Sequence, residues 1–142
     1  GFAETGAAGR AKQDKLVAIA KKGGVRLIGP NCIGLFSSAP SCALSVNAVL
    51  EKLHVTPGPL AIVSQSGSMM GGLLSRGLGR GVGFSKLISV GNECDLGVGE
   101  IADCLVDDPH TEAILLFMET IRGAEHLAHA ARRACAADFT SA

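Results

Sequence analysis

An α/β fold built on a parallel sheet with flanking helices is predicted by two observations. From Leu60 onward, short apolar runs alternate three times with segments of helical period. Upstream, an amphipathic helix is followed by another short apolar run that ends in a Gly-Pro turn. Successive strand–helix units make their strands parallel, and right-handed crossovers bring the loop after each strand to one edge of the sheet.

Taken in order, residues 12–22 (KQDKLVAIAKK) set Leu16, Ile19 and Ala20 on one face and Lys12, Lys15 and Lys22 on another, with Gly23-Gly24 as the stop, so a helix is expected there. Val25 to Ile28 reads as a short strand closed by Gly29-Pro30. Between Pro40 and Pro59 the pattern weakens, and Pro57-Gly58-Pro59 marks a linker with a boundary near residue 57. Beyond it the expected order is strand at Leu60–Val63, helix at 66–76, strand at 83–90, helix at 97–106, strand at Ala113–Met118 and helix at 124–137. Gly77, Gly79, Gly81 and Gly83 precede a strand and read as a helix stop and turn, not as a ligand loop.

A chain of 142 residues suffices for one α/β domain, or for a small domain and part of a second. Hydrophobic residues make up 47% of it, yet Gly and Ala break every run before the ~18 apolar residues a bilayer span needs. No basic segment followed by an apolar one opens the chain, so a cytoplasmic protein with no membrane partner is expected, its first residues internal to a longer protein. Thirteen basic side chains balance thirteen acidic ones without a dense Lys/Arg run, which argues against nucleic acid. The five cysteines, Cys32, Cys42, Cys94, Cys104 and Cys135, are odd in number and lack CxxC spacing, so neither a metal site nor a disulfide framework is expected.

Function is expected in three loops, Ser64–Ser68, Gly91–Gly97 and Glu119–Gly123, at the carboxyl edge where open α/β sheets bind ligands. The first enters a helix through Ser66, Gly67 and Ser68, where N–H groups without intrahelical partners and the helix dipole favour an anion such as phosphate. Plain N-capping by Ser66 or Ser64 explains the same serines as well. The spacing fits neither a Walker A loop nor a dinucleotide GxGxxG. Glu119, the polar group after ILLFM, emerges at the same edge, where it could orient an imidazole; an exposed strand-end glutamate is the plainer alternative. Cys94 has no visible basic partner and reads as inert, and Asp95 reads as a cap of the next helix. Asn31 and Cys32, after Gly29-Pro30, either line a cleft or simply turn the chain. No histidine is placed as a nucleophile, and His126 and His129, three apart on the last helix, lack a third metal ligand.

The segments GFAETG, VRLIGPNCIGL, LAIVSQSGSMMGGLL, GFSKLISVGNECDL and DDPHTEAILLFMET, in this order, resemble the ADP-forming acyl-CoA synthetase family of the succinyl-CoA ligase alpha type. The resemblance covers nearly the whole chain, and its specific part is GPNCIG at 29–34, VSQSG at 63–67 and SVGNECD at 89–95. It implies a Rossmann-like CoA-binding domain followed by flavodoxin-like ligase domains. Residues 1–57 look like the last part of the former with a linker, and 58–142 like the first three βα units of the latter, a fold incomplete relative to the family.

The resemblance implies interconversion of acyl-CoA, ADP and phosphate with a carboxylic acid, CoA and ATP through a phosphohistidine, Mg accompanying the nucleotide. By it, Ser66, Gly67 and Ser68 hold the phosphate, Glu119 orients the histidine, and Asn31 and Cys32 line the cleft near the thioester end of CoA. The family's His-Thr-Gly or His-Ala-Gly loop does not occur in this sequence, nor do ATP-grasp residues or the CoA fingerprint. The chain alone is therefore expected to be inactive, and completed in an oligomer by an ATP-grasp domain or subunit. The alternative is a non-catalytic, ligase-like module that senses CoA or another ligand, as in some protein lysine acetyltransferases. A flavin-binding flavodoxin is disfavoured because no aromatic is placed to stack on the ring.

Overall fold

The structure is a computed structural model that describes residues 1–46 and 54–139. Its longest strand, β3 (Pro57–Ser64), ends in Ala61, Ile62, Val63 and Ser64, all buried, as befits a strand covered on both faces. It pairs in parallel with β4 (Phe84–Ser89) on one side and β5 (Ala113–Phe117) on the other. Helix α2 (Gly67–Leu78) leads from β3 to β4, and α3 (Val98–Val106) carries the chain back past β3 to β5. Crossovers that run in opposite directions along the sheet place these helices on opposite faces. On one face Met70 and Leu74 of α2 pack with Ile62, Phe84, Leu87 and Val55; on the other, Val98, Ile101 and Leu105 of α3 pack with Ala61, Val63 and Val90. The last helix, α4 (Ala124–Phe139), lies against α3.

The sheet is mixed, not wholly parallel. Strands β1 (Gly34–Ser38) and β2 (Ser41–Ser45) form an antiparallel hairpin, and β1 pairs antiparallel with β4, giving the order β2-β1-β4-β3-β5. This corrects the linker expected from Pro40 to Pro59: Ser41–Ser45 is a strand, Pro57 opens β3, and residues 47–53 of that stretch lie outside the described residues. An edge strand exposed at all but its last residue has no buried face to print an apolar alternation on the sequence.

Two further expectations change. Helix α1 spans Ala7–Lys22, beginning well before residue 12, because the alanine-rich entry favours helix without showing a period. It buries Gly9 and Gln13, while Ile19 is 61% exposed, so its apolar face is only partly covered. Val25–Ile28 is not a strand of the sheet: Ile28 makes one isolated bridge, to Leu96. The edge of β4 that such a strand would need is taken by β1, and the segment bonds to the 92–96 loop instead. Leu96 N–H donates to Leu27 C=O at 3.0 Å, and Cys94 and Asn92 N–H donate to Gly29 and Pro30 C=O, both at 2.9 Å.

Phe84, 1% exposed between β3 and α2, sits where a cavity cannot collapse without moving the central strands. We expect Phe84→Ala to cost about 3–5 kcal/mol in urea unfolding. Leu115→Ala, at a side chain 40% exposed, is expected to cost clearly less, and equal losses would contradict this placement of the core.

Candidate functional site

The chain steps from β3 to β4 by a helix on one face and returns past β3 to β5 by a helix on the other. The carboxyl end of β3 therefore lies at the switch point of the sheet, where the connections diverge and leave a crevice. The turns after β3, β4 and β5, with the 31–33 turn, line one cleft of about 470 Å³ there. All six residues singled out in the sequence, Asn31, Cys32, Ser66, Gly67, Ser68 and Glu119, line this cleft.

Ser66 has extended backbone (φ −102°, ψ 117°), and its hydroxyl accepts from Met69 N–H at 3.4 Å, so it does cap α2. That cap serves one donor. The N–H groups of Gly67 and Ser68 have no acceptor among the described residues and open onto the cleft. The Ser66 and Ser68 hydroxyls stand 3.1 Å apart, and the buried Ser64 hydroxyl donates to Ser66 C=O at 2.7 Å, fixing the turn. A Cβ at position 67 would lie 2.7 Å from Ile33 Cγ2, so glycine lets the helix start press against the 31–33 turn.

Gln65, which the sequence reading passed over, ties the three loops together. Its Oε1 accepts from Glu119 N–H at 2.7 Å and Thr120 N–H at 3.0 Å, and its Nε2 donates at 2.7 Å to both Thr120 C=O and the Glu93 carboxylate. Glu93, at φ +50°, accepts from Val98 N–H with its other oxygen at 2.6 Å and so holds the first turn of α3. The Glu119 carboxylate itself has no partner among the described residues.

Across the cleft, Asn31 (φ +55°) donates to the Asn92 side-chain carbonyl at 3.3 Å, and the Asn92 amide donates to Glu4 at 2.6 Å and to buried Gln13 at 3.0 Å. That Asn92 bond, first among its contacts, holds the Glu4 carboxyl below the usual carboxylate range. Gly91, at φ +53°, is required here: a Cβ would stand 2.2 Å from Pro30 C=O. Cys32 is half-buried with its thiol 3.8 Å from Ile28 C=O, and burial pushes the Cys94 thiol up. Arg122, the one cation lining the cleft among the described residues, donates to Asn92 C=O at 2.9 Å.

Asp95 does not cap α3. It accepts from Arg26 Nε at 3.0 Å and Leu27 N–H at 2.7 Å, while Glu100 accepts from Gly97 N–H at 3.3 Å and from Arg26 Nη2 at 3.1 Å. The neighbouring guanidinium draws Asp95 outward, and Glu93 and Glu100 take over the start of the helix.

Comparison with known proteins places this fold. The model of the succinyl-CoA ligase like flavodoxin domain matches residues 57–138. The chain belongs to that family. Among relatives of this succinyl-CoA ligase-like chain, the ADP-forming acetate–CoA ligase II subunit alpha of Pyrococcus furiosus is 35% identical over 133 residues, 94% of this chain and 28% of the relative. The ADP-forming acetate–CoA ligase I of Archaeoglobus fulgidus is 35% identical over 121 residues, covering 85% of this chain and 17% of its own. A Pyrococcus horikoshii crystal structure superposes with a TM-score of 0.83 at 35% identity, covering 94% of this chain and 30% of its own. The dinucleotide-forming acetyl-coenzyme A synthetase 1 of Ca. Korarchaeum cryptofilum, in complex with phosphate and ADP, does so with a TM-score of 0.84 at 28% identity, covering 94% of this chain and 28% of its own. The succinyl-CoA ligase-like chain thus spans less than a third of the length of these relatives.

The Arg26 bond, then the Leu27 N–H, holds the Asp95 carboxyl below its ordinary value. A carboxyl lowered on folding adds stability that is present above its unfolded pKa of about 3.9 and is lost as pH falls through the lower folded value. Stability of Asp95→Asn is therefore expected to fall less steeply than that of the parent below about pH 4. Urea midpoints between pH 2 and 6 check this, and parallel slopes would remove the Asp95 tie as a contributor.

Proposed function

We propose that this chain is part of an NDP-forming acyl-CoA synthetase, which interconverts acyl-CoA, ADP and phosphate with a carboxylic acid, CoA and ATP, and that its cleft holds the phosphoryl group in transit. The observation that carries this reading is the pairing across one cleft of the two unpartnered N–H groups of Gly67 and Ser68 with the unpartnered carboxylate of Glu119. Donors at a helix start bind phosphate oxygens, while a nearby carboxylate accepts an N–H and repels an anion, so the pair suits a phosphorylated imidazole held between them. The relatives named as ADP-forming acetate–CoA ligases, and a structural neighbour in complex with phosphate and ADP, support the same chemistry.

In this reading Gly67 and Ser68 N–H, helped by the Ser66 and Ser68 hydroxyls, bind the phosphoryl oxygens. Glu119 accepts the N–H of a histidine supplied from outside the described residues, fixing its tautomer so that the opposite ring nitrogen carries the phosphoryl group. Asn31 and Cys32 form the wall toward the thioester end of CoA. Residues 1–57 are the last part of a CoA-binding domain and 58–142 the first βα units of the ligase domain. The nucleotide and its Mg belong to an ATP-grasp domain or subunit, because the described residues fit the phosphate rather than a nucleotide base.

In the full-length enzyme, Glu119→Gln is expected to lower kcat by at least about a hundredfold, loss of a carboxylate that orients a catalytic histidine costing up to about ten-thousandfold. Accumulation of acid-labile phosphoprotein from labelled phosphate and acyl-CoA should fall in step. Turnover unchanged in E119Q would sink the role given to Glu119. Phosphate or CoA binding by a full-length protein with no turnover would instead identify the non-catalytic sensing module.

A further inference from the structure

We infer that Gln65 is the positioning residue of this cleft and that Glu93 selects the orientation in which its carboxamide works. The kinetic consequence rests on the phosphoryl-transfer reading above, but the geometry stands without it. A glutamine has two donor and two acceptor capacities, and here all four are used, each on a group that admits only one sense. Glu93 carboxylate and Thr120 C=O can only accept, so both Nε2 hydrogens face them, at 2.7 Å each. Glu119 and Thr120 N–H can only donate, so Oε1 faces them, at 2.7 and 3.0 Å. Flipping the amide would put donor against donor on one side and acceptor against acceptor on the other.

The position of Glu119 is therefore set from α3. Val98 N–H anchors one Glu93 oxygen at 2.6 Å, the other oxygen orients Gln65, and Gln65 fixes the backbone on which the Glu119 carboxylate stands. Because Gln65 also precedes Ser66 and donates its own N–H to Phe117 C=O at 3.0 Å, the same residue holds the phosphate turn and the carboxylate turn at one separation. Nearby groups that touch substrate then keep their distance without touching each other.

Charge pattern makes this testable with nearly isosteric variants. Gln65→Glu sets two carboxylates against each other, and Glu93→Gln sets two amides against each other with one side chain facing the wrong way. The double variant Q65E/E93Q restores a donor facing a carboxylate and keeps an acceptor for the Glu119 and Thr120 N–H groups, although Thr120 C=O loses the donor that Gln65 supplied. In the full-length protein we expect each single variant to speed amide exchange at Glu119 and Thr120 by about tenfold or more. We also expect each to lower kcat about tenfold to a hundredfold while leaving KM for acyl-CoA and phosphate nearly unchanged. The double variant is expected to recover part of both losses, the remainder reflecting the bond to Thr120 C=O that it cannot restore.

A merely structural pair would lower thermal stability without separating kcat from KM. Exchange at Glu119 and Thr120 unmoved in E93Q, or a double variant no better than the worse single one, would overturn the inference. If the wild-type protein shows no ADP-dependent turnover of any acyl-CoA, the proposed function fails while the exchange measurements still decide the clamp.

Discussion

Enclosure of β3 on both edges and both faces is the constraint on which this structure depends. Ala61 to Ser64 leave no side that could face water, so β4 and β5 must flank the strand and α2 and α3 must cover it from opposite sides. Those two demands are met when the chain steps from β3 to β4 on one side and crosses back from β4 to β5 on the other. The crevice at the carboxyl end follows from topology, before any ligand-binding residue is considered.

What fills that crevice is an electrostatic compromise. Three carboxylates, Glu4, Glu93 and Glu119, line a space whose donors suit an anion, and Arg122 is the one cation beside them among the described residues. Two of the carboxylates are spent on fixed donors, Glu4 on the Asn92 amide and Glu93 on Gln65 and Val98. Charge that is hydrogen-bonded in place repels an incoming anion less than charge left bare, and α2 presents its positive end. Glu119 alone keeps its capacity open.

Much of this was legible in the sequence because it obeyed local rules. The three βα units, their order and the loops at one edge follow from period and punctuation, and Ser66, Gly67, Ser68, Glu119, Asn31 and Cys32 meet in one cleft. What escaped was set by tertiary partners. Gln65 carries no local signature, since its four bonds reach residues 28 and more positions away. Asp95 has the composition of a helix cap, yet Arg26, 69 residues earlier, claims it. The β1–β2 hairpin is exposed on its outer strand and so leaves no alternation to read. Val25–Ile28 reads like a strand, but β1 holds the neighbouring edge of β4 and the segment bonds to the 92–96 loop instead.

The antiparallel pairing of β1 with β4 has a bearing on how such chains are cut and recombined. The match to the flavodoxin domain starts at residue 57, whereas hydrogen bonding ignores that border: Leu35, Phe36 and Ser37 pair with Ile88, Leu87 and Lys86 across it. A fragment opened at Pro57 would bare one whole edge of β4 and strip Gly91 and Asn92 of the turn they rest on, inviting self-association through the exposed ladder. The segment that matches the flavodoxin domain and the unit that is closed as a sheet are offset by one hairpin, and an exchange cut at the first boundary would trade a folded edge for a sticky one.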